Sequence, residues 1–154
     1  MKAAIIYISV HHGNTKKVVN EMAEILDADS FDFTKQEVDM AKYDVIGFAS
    51  GCFYRNMHER IIKFAAETDF LQRQRVFLIC TCGIAYRDYT KSTKEKFCLS
   101  NIRILNKKGV EVIGSFQCRG FDTFGPFEKI GGVAKGHPNE KDLSKAREWI
   151  KLKI

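Results

Sequence analysis

The residues best suited to chemistry in this chain open it: Ser9-Val10-His11-His12-Gly13-Asn14-Thr15-Lys16, set between an apolar run and a helical stripe. A strand that turns through glycine straight into a helix leaves backbone N–H groups pointing into the gap. Those orphan amides and the positive end of the helix dipole both favour an anion, phosphate above all. Gly13 lets a ligand approach the backbone closely, the Thr15 hydroxyl adds a donor, and the Asn14 side chain can brace the turn. The same pattern occurs in ordinary βα turns, so the stretch does not fix a ligand by itself.

Two other residue sets could react or ligate. Five cysteines, Cys52, Cys80, Cys82, Cys98 and Cys118, include no CxxC pair. Cys80 and Cys82 share a face if their strand continues. Buried cysteines generally act as small hydrophobes, with a redox thiol as the alternative for Cys52 and Cys82. His11 and His12 lack metal-ligand spacing with the cysteines, so no metal is expected. Either ring can donate to an anion when protonated, or stand in solvent as a plain loop residue.

The elements that must position these residues follow from hydrophobic periodicity. Ala3 to Ile8 reads as a buried parallel strand, and Val18, Val19, Met22, Ala23 and Leu26 stripe the helix after it. Ser30 to Phe33 alternates as an edge strand. Tyr43 to Ala49 is a second apolar run ending at Ser50-Gly51, and Met57 to Glu67 is helical. Val76 to Cys80 is a third buried strand closed by Thr81-Cys82-Gly83. Lys91 to Lys108 suits an outer helix ending toward Gly109, and Val110 to Gly114 opens the last strand. Asn139 reads as the N-cap of a final helix with Asp142 in its first turn and Leu143, Ala146, Trp149 and Ile150 facing the core. A weak helical turn is possible at 38–42.

Strands separated by helices demand right-handed crossovers and a parallel sheet covered on both faces. Ligands in such sheets sit outside the carboxyl ends of the strands, where the strand order reverses. Residues 9–15, 50–58 and 81–89 fall at that edge. The long irregular stretch Gln117 to His137 is either functional or a wrap around the sheet, with Phe121 and Phe124 expected as its packing anchors and cofactor contact as their alternative.

At 154 residues and 45% hydrophobic, the chain fits one domain spanning 1–154. The absence of a CxxC pair and the strand that begins almost at Met1 point to the cytoplasm, and no apolar run is long enough to insert in a membrane. The net charge of +6 is scattered rather than run together, which makes nucleic acid unlikely and suits steering toward an acidic partner.

Taken together, these loops resemble the flavodoxin family. His12-Gly13-Asn14-Thr15 is similar to the Gly-Asn-Thr phosphate loop, although Val10 and His12 stand where that family has hydroxyls. Ser50-Gly51-Cys52-Phe53-Tyr54-Arg55-Asn56-Met57 looks like its second loop, matching at Ser50, Phe53, Asn56 and Met57 and departing at Gly51 and Arg55. The segment from Cys118 to Phe127, with Gly136-His137-Pro138-Asn139 after it, is similar to a short-chain branch. The resemblance implies a three-layer α/β/α, doubly wound, five-stranded parallel sheet with strand order 2-1-3-4-5. It also implies non-covalent FMN, with the phosphate at Ser9, Val10, His11, His12, Gly13, Asn14 and Thr15. The flavin ring would lie between Ser50, Gly51, Cys52, Phe53 and Tyr54 and the third loop, Thr81, Cys82, Gly83, Tyr86 and Tyr89. The four aromatics among these supply flat apolar surfaces. The implied function is electron transfer between redox partner proteins. The alternatives are an FMN-dependent NAD(P)H or quinone reductase or oxidase, and a binding module of the same fold without flavin.

Overall fold

The computed structural model of the chain describes residues 1–84 and 96–154. The apolar runs become five parallel strands: β1 (Ala3–Ile8), β2 (Asp29–Asp32), β3 (Val45–Phe53), β5 (Arg75–Cys82) and β6 (Glu111–Arg119). A two-residue strand, β4 (Asn56–Met57), folds back antiparallel on the end of β3. The sheet order is β2-β1-β3-β5-β6, which is the expected 2-1-3-4-5 once the short hairpin strand is set aside.

Alternation along the central strands sorts side chains to the two faces. Ile46 and Phe48 of β3 and Val76, Leu78, Cys80 and Cys82 of β5 enter one core. Val45 and Ala49 of β3 and Phe77 and Ile79 of β5 enter the other. The helices α2 (Glu59–Glu67) and α3 (Leu99–Lys107) cover the first face, while α1 (Asn14–Leu26) and α4 (Glu140–Lys153) cover the second. This is the doubly wound, three-layer architecture expected from the sequence.

Several boundaries differ from the periodicity reading, each for a local reason. Strand β3 continues past Ser50-Gly51 to Phe53 because Gly51 pairs with Thr81 while Cys52 and Phe53 pair with Met57 and Asn56. Met57 is thereby taken into β4, and α2 starts at Glu59 with His58 as N-cap, its Nδ1 accepting from the Arg60 amide at 3.2 Å. Strand β6 runs to Arg119, so the irregular stretch begins at Gly120 rather than Gln117. The helical turn near Val38 is confined to a 3-10 turn, Met40–Lys42. Asn139 does cap α4: its side chain accepts from the Asp142 amide, and the Asp142 carboxylate accepts from the Asn139 amide, a reciprocal capping box.

Among the described residues no helix is long and apolar enough to cross a membrane. The connection from β1 to β2 leaves on one side of β1 and the route to β3 leads to the other, so the chain reverses direction between β1 and β3. The crevice at the carboxyl ends of these strands is where the geometry favours a ligand.

Candidate functional site

The turn after β1 occupies this crevice. His12 and Gly13 both have left-handed backbone, φ 54° and 68°, and this pair swings the chain from strand to helix with Gly13 as N-cap of α1. Gly13 has no atom within 4 Å of where a Cβ would sit, so it is required for its backbone and not for a close contact. Among the described residues the amides of His11, His12, Gly13 and Thr15 have no acceptor, and those of Asn14 and Lys16 have only long ones at 3.4 Å, His11 O and Ser9 Oγ. Backbone donors held open at a helix N-terminus form an anion cradle.

The side chains of this turn are engaged differently from the expectation. The Thr15 hydroxyl, buried, lies 2.9 Å from the Thr81 hydroxyl, joining the first turn of α1 to the end of β5. If Thr81 donates in that pair, Thr15 keeps its own O–H for a ligand. The His12 ring turns away from the turn to Thr123, with Nε2 2.9 Å from Oγ1, and stacks on Phe121 at 4.4 Å between centroids. Val10 is exposed. Neither therefore supplies what the hydroxyls of the family pattern would, and the backbone carries the donor set.

The second segment closes one wall. The β3–β4 hairpin turns on Tyr54 and Arg55, both at positive φ (49° and 65°), a two-residue geometry that suits the twist of the flanking strands but is usually built from Asn and Gly. Tyr54 at the tip is 86% exposed. Phe53 lies edge-on to His58, with centroids 5.1 Å apart. Ser50 lies beneath: its hydroxyl donates to Gly51 O and accepts from the His58 amide, both at 2.9 Å, so it holds the hairpin to α2 and faces no ligand.

A further wall comes from the stretch that the sequence left open between a functional loop and a wrap around the sheet. The Gly120 amide donates to Cys82 O at 3.0 Å, and the Asn14 Nδ2 donates to Phe121 O at 2.7 Å, clasping the chain after β6 onto the first turn. A Cβ on Gly120 would sit 2.7 Å from Asn14 Nδ2, so only glycine admits this approach. Phe124 then joins His11 and Phe53 in a three-ring cluster with centroids 5.8 to 6.1 Å apart, and packs edge-on to Tyr54 at 5.9 Å. Gly120, Phe121, Asp122 and Phe124 thus line the same cleft as the expected loops. The signal for them was positional: they follow a sheet strand's carboxyl end.

Of the sequence candidates, Val10, His11, Asn14, Thr15, Gly51, Cys52, Phe53, Thr81, Cys82 and Gly83 line one cleft. Ser9, His12, Gly13, Ser50 and Tyr54 flank or support it. Tyr86 and Tyr89 lie outside the described residues. The enclosed part of the cleft is narrow, about 30 Å³.

Electrostatically the site is marked by sulfur. Cys52 accepts hydrogen bonds from the Cys80 and Cys82 thiols and from the Arg55 amide, and the Arg55 charge is nearby, which holds Cys52 well below an ordinary thiol despite its partial burial. Cys80 and Cys82 are correspondingly pushed up, both first by hydrogen bonding to Cys52, then Cys80 by hydrogen bonding with Cys98 and by burial, and Cys82 by burial. Among the described residues, no group of three or more His, Cys, Asp or Glu side chains is arranged to hold a metal ion.

The comparisons with known proteins agree with this geometry. Residues 4–124 match the model of the family described as flavodoxin domain. An uncharacterized protein of Methanocaldococcus jannaschii is 36% identical over 154 residues, covering 98% of this chain and 97% of its own length. Among solved structures, a flavodoxin from the domain Archaea superposes with a TM-score of 0.63 at 19% identity, covering 98% of this chain and 99% of that one. A Fusobacterium nucleatum flavodoxin bound to flavin mononucleotide does so with a TM-score of 0.63 at 16% identity, covering 99% and 96%.

Proposed function

Since the chain belongs to the flavodoxin domain family, we propose that it binds FMN non-covalently in the cleft between β1 and β3 and passes electrons between redox partners. The observation that carries this reading is the first turn, where four amides at the N-terminus of α1 have no acceptor among the described residues. A phosphate group matches that donor set in charge and in shape. The crevice also obeys the rule for ligands in open α/β sheets, of which FMN in flavodoxins is itself a standing instance.

The residues present fit the group. The amides of His11 to Thr15 would hold the phosphate, with Thr15 Oγ1 as an added donor. Phe53 and Tyr54 offer apolar ring faces on the hairpin, and Gly51 brings bare backbone to the cleft beside them. The buried Asn14 Oδ1 has no partner among the described residues and is available to accept from the ligand's hydroxyls. Bound flavin would supply the redox chemistry; the chain supplies anchorage, stacking and exclusion of water.

The visible spectrum of the purified protein titrated with FMN tests this directly. Saturable quenching of flavin fluorescence at one equivalent is expected. A colourless protein that leaves added FMN fluorescent rejects the reading in favour of a flavin-free binding module, while turnover of NADPH or a quinone by the loaded protein moves it to the reductase alternative.

The rim of the cleft suits a protein partner: Tyr54, Val10 and Phe124 are exposed apolar groups, set in a chain of net charge +6. Acidic redox partners follow from that charge. Electron-transfer rates with such a partner are expected to fall about tenfold or more as ionic strength rises from about 0.01 M to about 0.15 M, because the Debye length then shrinks from about 30 Å to about 8 Å. Stopped-flow rates that do not vary with salt remove the electrostatic part of the proposal.

A further inference from the structure

The cysteines are the part of the molecule that FMN binding leaves unexplained. In the β3–β5 register Ser50 lies beside Cys80 and Gly51 beside Thr81; Cys52 and Cys82 are the next residues on the two strands, and their thiols interact. Side chains alternate along strands, so Cys52, Cys80 and Cys82 all face the same side of the sheet, and Cys98 joins them in that core. Cys80 and Cys98 are fully buried, whereas Cys52 is only partly covered and, with Cys82, lines the cleft. A thiol at a solvent-open cleft with a second thiol in contact behind it is the arrangement of an attacking and a resolving sulfur.

We propose that Cys52 and Cys82 form a peroxide-reactive pair, with Cys52 as the attacking sulfur and Cys82 as the resolving one. The low proton affinity that its neighbours impose on Cys52 keeps it as thiolate, the reactive form, while Cys82 stays protonated. In the first step the Cys52 sulfur bonds to one peroxide oxygen, the O–O bond breaks, and hydroxide leaves, giving a sulfenic acid. In the second step the Cys82 sulfur bonds to the Cys52 sulfur, the S–O bond breaks, and the hydroxyl departs as water with the Cys82 proton. Peroxide is reduced by two electrons and the two cysteines are oxidised to a disulfide. This chemistry stands whether or not FMN binds; a bound ring would cover Cys52 and slow it.

The experiment uses the full chain, its visible spectrum recorded first. With iodoacetamide, peptide mapping is expected to find the first adduct on Cys52. Its formation rate should vary less than about threefold between about pH 6 and pH 8, where an ordinary thiol of pKa near 8.5 varies roughly 70-fold. With one equivalent of hydrogen peroxide, the intact mass is expected to fall by two hydrogens and the map to show Cys52 joined to Cys82. The variant Cys82→Ser should instead retain one extra oxygen on Cys52, trapped by dimedone. A first adduct elsewhere, an ordinary pH rise, or a disulfide that omits Cys52 or Cys82 overturns the proposal. The wild-type map decides the pairing even if Cys82→Ser fails to fold. A chain that leaves added FMN fluorescent but shows pH-independent labelling leaves the thiol pair standing and removes the FMN reading alone.

Discussion

Asn14→Asp is expected to weaken FMN binding by about 100-fold, equivalent to about 2.7 kcal/mol. The change keeps the side chain's shape and reverses its chemistry. Asn14 Nδ2 donates to Phe121 O at 2.7 Å, and a carboxylate has nothing to donate, so two acceptors would face one another across the clasp. The added negative charge would also stand at the N-terminus of α1, where the phosphate is to bind, in a position that is 7% exposed and poorly screened. Both effects oppose the ligand. Burial raises the pKa of the introduced carboxyl, and its protonated form can donate again, so affinity should recover as pH falls. Fluorescence titrations with FMN at two pH values read both outcomes. Affinity within about threefold of the parent at neutral pH would mean that the clasp does not shape the site.

Gly47→Ala is expected to lower stability by about 2–3 kcal/mol, seen as a melting temperature lower by roughly 5–10 °C. Gly47 is the third residue of β3, and a Cβ there would meet the ring of the fully buried Phe77 at 2.5 and 2.7 Å and Ile5 at 3.2 Å. The ring has nowhere to retreat, since it also packs against Trp149, with centroids 6.2 Å apart. Phe77→Leu, destabilising alone, should cost less in the Gly47→Ala background than in the parent. That non-additivity, measured by denaturant unfolding, distinguishes a steric conflict from a general weakening of the strand.

The layers of this protein are readable from its sequence because burial imposes simple periods. The wholly apolar Ala3 to Ile8 and Val76 to Cys80 leave no alternative to central strands, and Asn139 with Asp142 is a helix start written in local chemistry. The hairpin at Tyr54-Arg55 is not readable, since neither residue favours positive φ and tertiary pairing of Cys52 and Phe53 with β4 overrides the local preference. Ser50 matches the family pattern by type, yet its hydroxyl serves the backbone of Gly51 and His58. His12 is similarly deceptive, because its partner, Thr123, lies 111 residues away. Phe121 and Phe124 were expected as packing anchors, and they are, but the surface they pack on is the cleft itself. Sequence periodicity locates elements; it does not reveal which distant loop closes over them.

The separation of these partners in the chain sets the order in which the cleft is completed. The first turn is synthesised almost at once, whereas Phe121 and Thr123, which clasp it, are 107 and 111 residues further on. Made from the N-terminus forward, the chain has its anion cradle long before it has the wall that closes it, and contacts of such long sequence separation are the slow ones to form. A nascent chain stalled before residue 120 therefore carries Gly13 and Phe53 but not the closed cleft.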